Sequence, residues 1–259
     1  MIEALLSAQN LSISFGGLHA VRNLNLEVQM GQVHAVIGPN GAGKTSLINL
    51  LSGDLKPTRG RVCHRGQDIT CLQPLRVTAR GIGRSYQITN IFPEFTCVEN
   101  CWLAARARMG SAMCFVVPSG KDSITAVRAF NALDMPGLGL KADTRAQDMS
   151  YGEQRQLEIA MLLALETEIL LLDEPLAGHG VEESQVVLDL IRRLAPDHGI
   201  VLIEHDMDAV FAIADKLTVM VNGEVLESGT AEMIKVSERV RKAYLGDGCL
   251  LYTSPSPRA

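Results

Sequence analysis

Residues 38–45 read GPNGAGKT, a glycine-rich stretch that fits the pattern G-x-x-x-x-G-K-[ST]. The stretch lies between an apolar run typical of a buried strand and a run with helical periodicity, which is the context that this pattern requires. Glycines let backbone N–H groups converge on a phosphate, and the N-terminus of the following helix adds positive potential. Lys44 should reach the β- and γ-phosphates, and the Thr45 hydroxyl should ligate Mg²⁺. The stretch therefore predicts a nucleoside triphosphate site, whose contacting residues are Gly38, Pro39, Asn40, Gly41, Ala42, Gly43, Lys44, Thr45 and Ser46.

Two adjacent carboxylates end a second apolar run, ILLLDE at 169–174. Acids at the end of a buried strand are costly unless a cation or a chemical task compensates. Asp173 is suited to the Mg²⁺ shell, and Glu174 is suited to orienting and deprotonating an attacking water. A solvated strand end is the alternative interpretation. A kinase would need a second substrate pocket, whereas this pair indicates hydrolysis.

A histidine and a glutamine complete the candidate reactive groups. His205 closes the apolar run VLIEH, where a lone histidine is usually structural. Beside a phosphate site it can instead hydrogen-bond the γ-phosphate and position Glu174 and the water. Gln87, in GIGRSYQITN, can touch Mg²⁺ or the water and sense the γ-phosphate; taken alone, it would be an ordinary polar loop residue.

The elements that must position these groups are alternating strands and helices with a helical interruption. The first thirty residues have the period-2 pattern of antiparallel strands, and VHAVIG at 33–38 predicts a buried parallel strand. From about 88 to 148 strong strand patterns are absent, and after 150 the alternation of helices and strands returns. We predict an α/β fold: a P-loop NTPase core with an antiparallel β subdomain and an inserted α-helical subdomain.

Helix starts are marked by two capping boxes, in which a hydroxyl residue is followed three residues later by a glutamate. One is Ser150 with Glu153 in MSYGEQRQLEIA, and the other is Thr96 with Glu99. Three arginines between these helices and the glycine-rich stretch have i, i+4 spacing, which favours a solvated helix face. They are Arg76, Arg80 and Arg84.

Composition limits the class of protein. With 259 residues and 47% hydrophobic content, the chain can form one large α/β domain, or a core domain with a small appendage. Aromatic residues make up 4%, so stacking surfaces are scarce, and a net charge of −5 disfavours non-specific attraction to nucleic acid. Six cysteines without a CxxC pair, no signal peptide and no apolar stretch of about 18 residues predict a cytosolic protein.

Together these motifs resemble the ATPase subunit of an ABC transporter. The Walker A motif at 38–45 is followed by the Q-loop glutamine Gln87 and by the signature MSYGE at 149–153. The Walker B strand at 169–174 and the switch histidine His205 come next, in the order of the family. The resemblance implies an ABC ATPase fold, with ATP and Mg²⁺ as cofactors and ATP hydrolysis as the activity.

The same resemblance, which covers about residues 5–248, implies a head-to-tail dimer. In the family the signature helix faces the nucleotide held by the other subunit, so Ser150 and Gly152 would donate to that γ-phosphate in trans. Phe15 occupies the position of the aromatic residue that stacks on adenine; the alternative is a core strand residue.

Further stretches, among them SFGGLHAV at 14–21 and IEHDM at 203–207, are similar to ATPases of branched-chain amino acid importers. Importers for urea or short amides belong to the same wider group. The resemblance implies two multi-span membrane permease subunits, a second ATPase subunit that is identical or a sister chain, and no nucleic acid. A periplasmic or extracellular solute-binding protein would act indirectly, and the chain would lie at the cytoplasmic face of the inner membrane.

This sequence departs from the usual LSGGQ signature, with Met149, Tyr151 and Glu153 at three of its positions, and its D-loop carries His179 and Val181. We predict an ABC ATPase domain at 1–248, with the helical subdomain at about 88–150. Residues 249–259 resemble translated vector sequence, and we predict a non-native tail. The alternatives are a soluble ABC ATPase acting in translation or DNA repair, and a P-loop kinase or ligase, which would leave the signature unexplained.

Overall fold

The computed structural model describes residues 4–86, 89–108, 119–178 and 180–245. Gln87, His179 and the tail at 249–259 lie outside the described residues, so the expectations for them stay predictions. The strands are β1 (Leu6–Phe15), β2 (Leu18–Val28), β3 (Val33–Ile37), β4 (Arg59–His64), β5 (Gln67–Asp68), β6 (Ile82–Arg84), β7 (Ile169–Asp173), β8 (Gly199–Ile203), β9 (Lys216–Val221) and β10 (Glu224–Gly229). The helices are α1 (Lys44–Leu51), α2 (Pro74–Ala79), α3 (Cys97–Arg108), α4 (Ser119–Asn131), α5 (Tyr151–Ala164), α6 (Val181–Leu194), α7 (Met207–Ile213), α8 (Ala231–Val236) and α9 (Glu238–Leu245).

A mixed sheet with the order β10-β9-β3-β8-β7-β6 forms the centre of the fold. The ladders from β9 to β6 are parallel, and β10 pairs antiparallel with β9. Every residue of β3, β7 and β8 is buried, which is why these strands are continuous apolar runs in the sequence. The buried parallel strand predicted at 33–38 is confirmed. Because the strands are parallel, the chain leaves β3, β7 and β8 at the same edge of the sheet, and the candidate reactive residues follow there.

A second sheet, β2-β1-β4-β5, is antiparallel, as predicted for the first thirty residues. Apolar side chains of this sheet, such as Leu11 and Leu24, share one core with Leu47 of α1 and with Val36 and Leu171 of the central sheet. The opposite face of the central sheet packs against α5, α6, α7 and α8. The helix that follows the glycine-rich stretch is thus held between two sheets.

The insertion consists of α3 and α4 packed against α5, with short 3₁₀ turns at 139–141 and 146–148. Its core is built from small side chains, among them Cys97, Cys101 and Ala105, packed against Leu133 and Leu157. The capping box predicted at the start of α3 is confirmed. The N–H of Thr96 donates to Glu99 Oε2 at 2.8 Å, and the N–H of Glu99 donates to the Thr96 hydroxyl at 3.3 Å.

The expectation that three arginines share one solvated helix face is wrong for Arg84. Helix α2 ends at Ala79, and Gly81, with a φ of +95°, turns the chain into β6, which pairs with β7. Arg84 therefore lies on a strand, and its side chain is only 8% exposed. The i, i+4 spacing was misleading because it presumed a helix that continues through a glycine.

Within the described ranges, no helix combines the length and the hydropathy that a bilayer crossing requires.

Candidate active site

A cleft of about 660 Å³ opens at the end of β3, where the chain passes through the glycine-rich loop into α1. Phe15, at the end of β1, forms part of its wall and is 50% exposed, so the alternative of a core strand residue is wrong. The other lining residues come from the β1–β2 turn, the start of β2, the glycine-rich loop, the start of α1 and two later turns: Gly17, Leu18, His19, Ala20, Arg22, Asn40, Gly41, Ala42, Gly43, Lys44, Thr45, Ser46, Glu174 and Asn222.

Two glycines of the loop are required by its path. Gly38 has a φ of +157°, and a Cβ there would lie 2.2 Å from the carbonyl oxygen of Met220. Gly43 has a φ of +100°, and a Cβ there would lie 2.2 Å from the carbonyl oxygen of Ala20. Gly43 precedes α1 without a side-chain cap. The loop therefore begins its helix with backbone N–H groups, which is the arrangement that binds phosphate.

The Lys44 ammonium lies inside the loop, where its Nζ donates to the carbonyl oxygens of Gly38 at 2.7 Å and Pro39 at 3.2 Å. Burial lowers the pKa of Lys44, and the carboxylates of Glu174 and Asp173 oppose this shift. The structure thus places this lysine near both acids of the second motif, although they are distant in sequence.

Asp173, the last residue of β7, is buried against Arg84. The Arg84 Nη2 lies 3.1 Å from Asp173 Oδ2, and its Nη1 lies 2.8 Å from Asp54 Oδ2. The guanidinium also lies 4.7 Å from the ring centroid of Tyr86. Burial raises the pKa of Asp173, and the positive charge of Arg84 opposes the shift. Sequence reasoning missed this arginine as a partner of Asp173, although Gly81 was a signal that it does not belong to a helix.

Glu174 follows at once but has a different environment. Its φ is +48°, its N–H donates to the carbonyl oxygen of Ile203 at 2.9 Å, and its side chain is 25% exposed. The Nδ1 of His205 lies 4.0 Å from Glu174 Oε1, and the histidine side chain is largely exposed. The structure therefore brings the two predicted reactive groups together from the ends of adjacent strands.

The capping box predicted at the start of α5 is confirmed. The N–H of Glu153 donates to Ser150 Oγ at 3.3 Å, and the N–H of Ser150 donates to Glu153 Oε2 at 3.0 Å. Lys141 forms an ion pair with the Glu153 carboxylate, and this contact is the main cause that lowers the pKa of Glu153. Ser150 is exposed and Gly152 is buried, and neither lines the cleft of its own chain.

A buried ion pair on α5 joins this helix to the rest of the site, and sequence reasoning missed it. Arg155 and Glu158 pair with each other at i, i+3, and both are buried. Arg155 Nη1 donates to the carbonyl oxygen of Tyr86 at 2.6 Å, and the N–H of Tyr86 donates to Glu158 Oε1 at 3.0 Å. Arg155 Nη2 also donates to the carbonyl oxygen of Glu174 at 3.4 Å. Arg155 thus hydrogen-bonds both to Tyr86, just before Gln87, and to Glu174, at the end of β7.

The chemistry of two oxygen donors at and beside the cleft fits Mg²⁺. Thr45 lines the cleft, whereas Asp173, which precedes the cleft residue Glu174, is buried against Arg84 and does not line it. Their hydroxyl and carboxylate are oxygen ligands of the kind that Mg²⁺ takes. The described residues contain no group of three or more His, Cys, Asp or Glu side chains that could hold a metal ion. Few protein ligands suffice for Mg²⁺, because it keeps several waters and binds substrate phosphates.

A glycine-rich loop after a buried parallel strand, a lysine within that loop and two acids at the same sheet edge define a P-loop ATPase. Comparisons with known proteins narrow the class. The ABC transporter family model matches residues 21–177. The chain is 38% identical, over 254 residues, to the high-affinity branched-chain amino acid transport ATP-binding protein LivG of Escherichia coli (strain K12), covering 95% of this chain and 100% of that protein. The chain belongs to the ABC transporter family and is an ABC-type ATP hydrolase.

A second relative and a solved structure agree with this assignment. The ATP-binding protein BraF of Pseudomonas aeruginosa, which serves high-affinity branched-chain amino acid transport, is 37% identical over 95% of this chain and 100% of its own length. The crystal structure of the ADP conformation of MJ1267, an ATP-binding cassette of an ABC transporter, superimposes with a TM-score of 0.82. It is 27% identical and covers 94% of this chain and 99% of that one. The predicted ABC ATPase fold is confirmed.

Proposed function

We propose that the chain is the ATP-hydrolysing subunit of an ABC importer for branched-chain or related amino acids. The observation that carries the ATPase assignment is the meeting of the Lys44 loop with Glu174 and His205 at one edge of the sheet. The solute class rests on LivG and BraF, two relatives that cover nearly the whole chain and are named for branched-chain amino acid transport.

In the proposed mechanism the glycine-rich loop holds the phosphates through its N–H groups. Lys44 exchanges the carbonyl oxygens of Gly38 and Pro39 for the β- and γ-phosphates, so its ammonium keeps oxygen acceptors. Thr45 and Asp173 would hold Mg²⁺, which would neutralise phosphate charge. Phe15, half exposed in the wall of the cleft, offers its ring to the adenine.

Glu174 serves as the base that orients and deprotonates the attacking water, and His205 contacts the γ-phosphate. His205 Nδ1 and Glu174 Oε1 are 4.0 Å apart, which is longer than a hydrogen bond, so the two side chains are neighbours without a direct hydrogen bond between these atoms. Gln87 contributes an amide to Mg²⁺ or to the water, as its position in the family's motif order implies.

The proposed dimer is head-to-tail. Ser150 and Gly152 lie at the start of a helix that does not line the cleft of its own chain, and a nucleotide held by a partner would have to replace the capping contacts of Ser150 with Glu153. The partner is an identical or a sister ATPase subunit. Bound γ-phosphate bridges the two chains, and hydrolysis removes the bridge.

Coupling to transport is assigned to the helical insertion. Two multi-span permease subunits receive its motion at the cytoplasmic face of the membrane, and a solute-binding protein acts through them. The buried pair of Arg155 and Glu158 supports this route, because it links α5, against which the insertion packs, to the Tyr86 backbone just before Gln87.

The test is an affinity purification of tagged Glu174→Gln protein from detergent-solubilised membranes, with ATP and without it, followed by mass spectrometry. We expect multi-span permeases and a second ATPase subunit to be recovered, and the solute-binding protein of the same system to identify the solute. Tagged Lys44→Ala protein is the matched control, because it keeps the fold but should not form the ATP-bound dimer. Recovery of ribosomes or DNA-repair factors would remove transport from the assignment and leave the ATPase chemistry.

A further inference from the structure

A carboxylate that the proposed mechanism does not use lies directly behind the reactive pair. Glu204 follows β8 and is fully buried, at 0% exposure. Burial raises the pKa of this carboxyl, and hydrogen bonds from backbone N–H groups oppose the shift. A buried carboxylate is expensive unless its oxygens are satisfied. Its presence at this position therefore needs a structural reason.

Both oxygens of Glu204 accept a backbone N–H, and the two donors come from different elements. The N–H of Leu176 donates to Oε1 at 2.8 Å, and the N–H of His205 donates to Oε2 at 3.2 Å. Leu176 is two residues beyond Glu174 on the turn that leaves β7. One side chain thus fastens the turn that carries Glu174 to the residue that carries the imidazole.

The turn needs such a fastening because its backbone is strained. Glu174 has a φ of +48°, a left-handed conformation that is unfavourable for a non-glycine residue and persists only where its surroundings hold it. Its own N–H donates to the carbonyl oxygen of Ile203, and its carbonyl oxygen accepts from the N–H of Ala177 and from Arg155 Nη2. The Glu204 carboxylate adds a bond at Leu176, which joins the turn to the end of β8.

We propose that Glu204 is a positioning residue for ATP hydrolysis. By accepting the N–H groups of Leu176 and His205, it keeps Glu174 and His205 in fixed positions relative to each other. It does not touch the nucleotide, since it is fully buried and does not line the cleft. Its loss should therefore reduce kcat and leave nucleotide affinity unchanged. The inference rests on the proposed roles of Glu174 and His205 in hydrolysis.

Glutamine is an informative substitution here. A carboxylate offers an acceptor to each N–H, whereas the glutamine amide offers one acceptor and turns its NH₂ toward the second N–H. Glu204→Gln keeps the volume but satisfies only one of the two donors. We expect kcat of both Glu204→Gln and Glu204→Ala to fall by about 10- to 10²-fold, the size of effect that a misplacement of about 1 Å produces. If Glu204 only filled space, Glu204→Gln would behave as the wild type.

The experiment measures steady-state ATPase activity, affinity for a fluorescent ATP analogue and Tm for the full chain. The matched control is Thr167→Val, which removes a buried hydrogen bond to the Leu162 carbonyl oxygen at the far end of β7. We expect the control to lose stability without loss of kcat. A wild-type kcat in folded Glu204→Ala, or a loss that the control reproduces, would overturn the proposal.

A second measurement tests the same hydrogen bond without changing a side chain, in case the Glu204 variants do not fold. Replacing Leu176 by its α-hydroxy acid turns one amide into an ester, which removes the N–H that Glu204 accepts and keeps both side chains. We expect the same fall in kcat at unchanged KM; an unchanged kcat would overturn the proposal. If the wild-type chain itself hydrolysed no ATP, the ATPase assignment would fail, which is distinguishable from a failure that concerns Glu204 alone.

Discussion

Two helices in this molecule begin where a phosphate is expected, and their N-termini differ in capping: α1 has no side-chain cap, and α5 has a capping box. Helix α1 follows Gly43 without a side-chain cap, and the only charge placed in its loop is the Lys44 ammonium on two carbonyl oxygens. Helix α5 is closed by its own side chains, since Ser150 and Glu153 exchange hydrogen bonds and Lys141 pairs with the glutamate. The first site is ready for an anion, and the second already holds one.

This difference bears on the order of events. A phosphate that enters the loop displaces the contacts of Lys44 with carbonyl oxygens and meets no carboxylate of the loop itself. A phosphate that approaches α5 meets the Glu153 carboxylate, which already accepts the N–H of Ser150. We therefore expect ATP to bind the glycine-rich loop of a single chain first, and to engage the signature helix of the partner in a second step. Such an arrangement makes dimerisation depend on the nucleotide and leaves the free chains apart.

The largest effect should come from Glu174→Gln, which removes the proposed base and leaves both proposed phosphate sites intact. We expect the ATPase rate to fall by about 10²- to 10⁴-fold, the usual contribution of a positioned general base. ATP should still bind, and a stable dimer should accumulate. Steady-state hydrolysis and analytical ultracentrifugation with ATP measure the two results. Normal hydrolysis by this variant would sink the assignment of Glu174 as the base.

The next largest effect should follow from Arg84→Met, because it leaves Asp173 and Asp54 without their shared cation at the edge of the loop site. Removing one partner of a buried pair typically costs about 3–5 kcal/mol of stability. Arg76→Met is the matched control, since Arg76 is exposed on α2 and should change the free energy of unfolding very little. Urea denaturation compares them. Equal values for the two variants would contradict a structural role of the Arg84 ion pairs.

Arg84 also shows where sequence reasoning reached its limit. The glycine-rich loop, both capping boxes and the buried strands could be predicted, because each depends on residue types at fixed spacing along the chain. The partners of Arg84 and Arg155 could not, because they come from elements far apart in sequence and depend on how strands are ordered in the sheet. The role proposed for Glu204 likewise depends on Leu176, which only the pairing of β7 with β8 brings near.

Lys44→Ala tests the uncapped N-terminus of α1 and its glycine-rich loop. It removes the one cation that the loop contributes, and hydrogen bonds to charged groups contribute about 1.5–3 kcal/mol. We expect the affinity for ATP to fall by about 10- to 150-fold, with little change in Tm, as measured by equilibrium binding of a fluorescent analogue. Unchanged affinity would mean that the backbone N–H groups alone hold the phosphates and that this lysine has another task.

Glu153→Gln tests the capped N-terminus of α5. We expect this substitution to have the smallest effect of the four, and to strengthen ATP-dependent dimerisation rather than weaken a function. Glutamine can still accept the N–H of Ser150, so the cap is largely kept, but the negative charge that competes with a phosphate is gone. A charge at a helix N-terminus contributes about 0.3–1 kcal/mol, so ATP-dependent dimerisation in the Glu174→Gln background should tighten by roughly two- to five-fold.

Glu99→Gln is the matched control, because Glu99 closes the same kind of capping box at the start of α3. Its substitution should leave the dimer affinity unchanged, while both variants lose a similar small amount of stability. If Glu153→Gln weakened the dimer instead, the carboxylate would be ordering Ser150 for the partner's phosphate rather than competing with it. In that case the N-termini of α1 and α5 would both favour phosphate binding. They would differ only because side chains already hold N–H groups of α5 before the nucleotide binds.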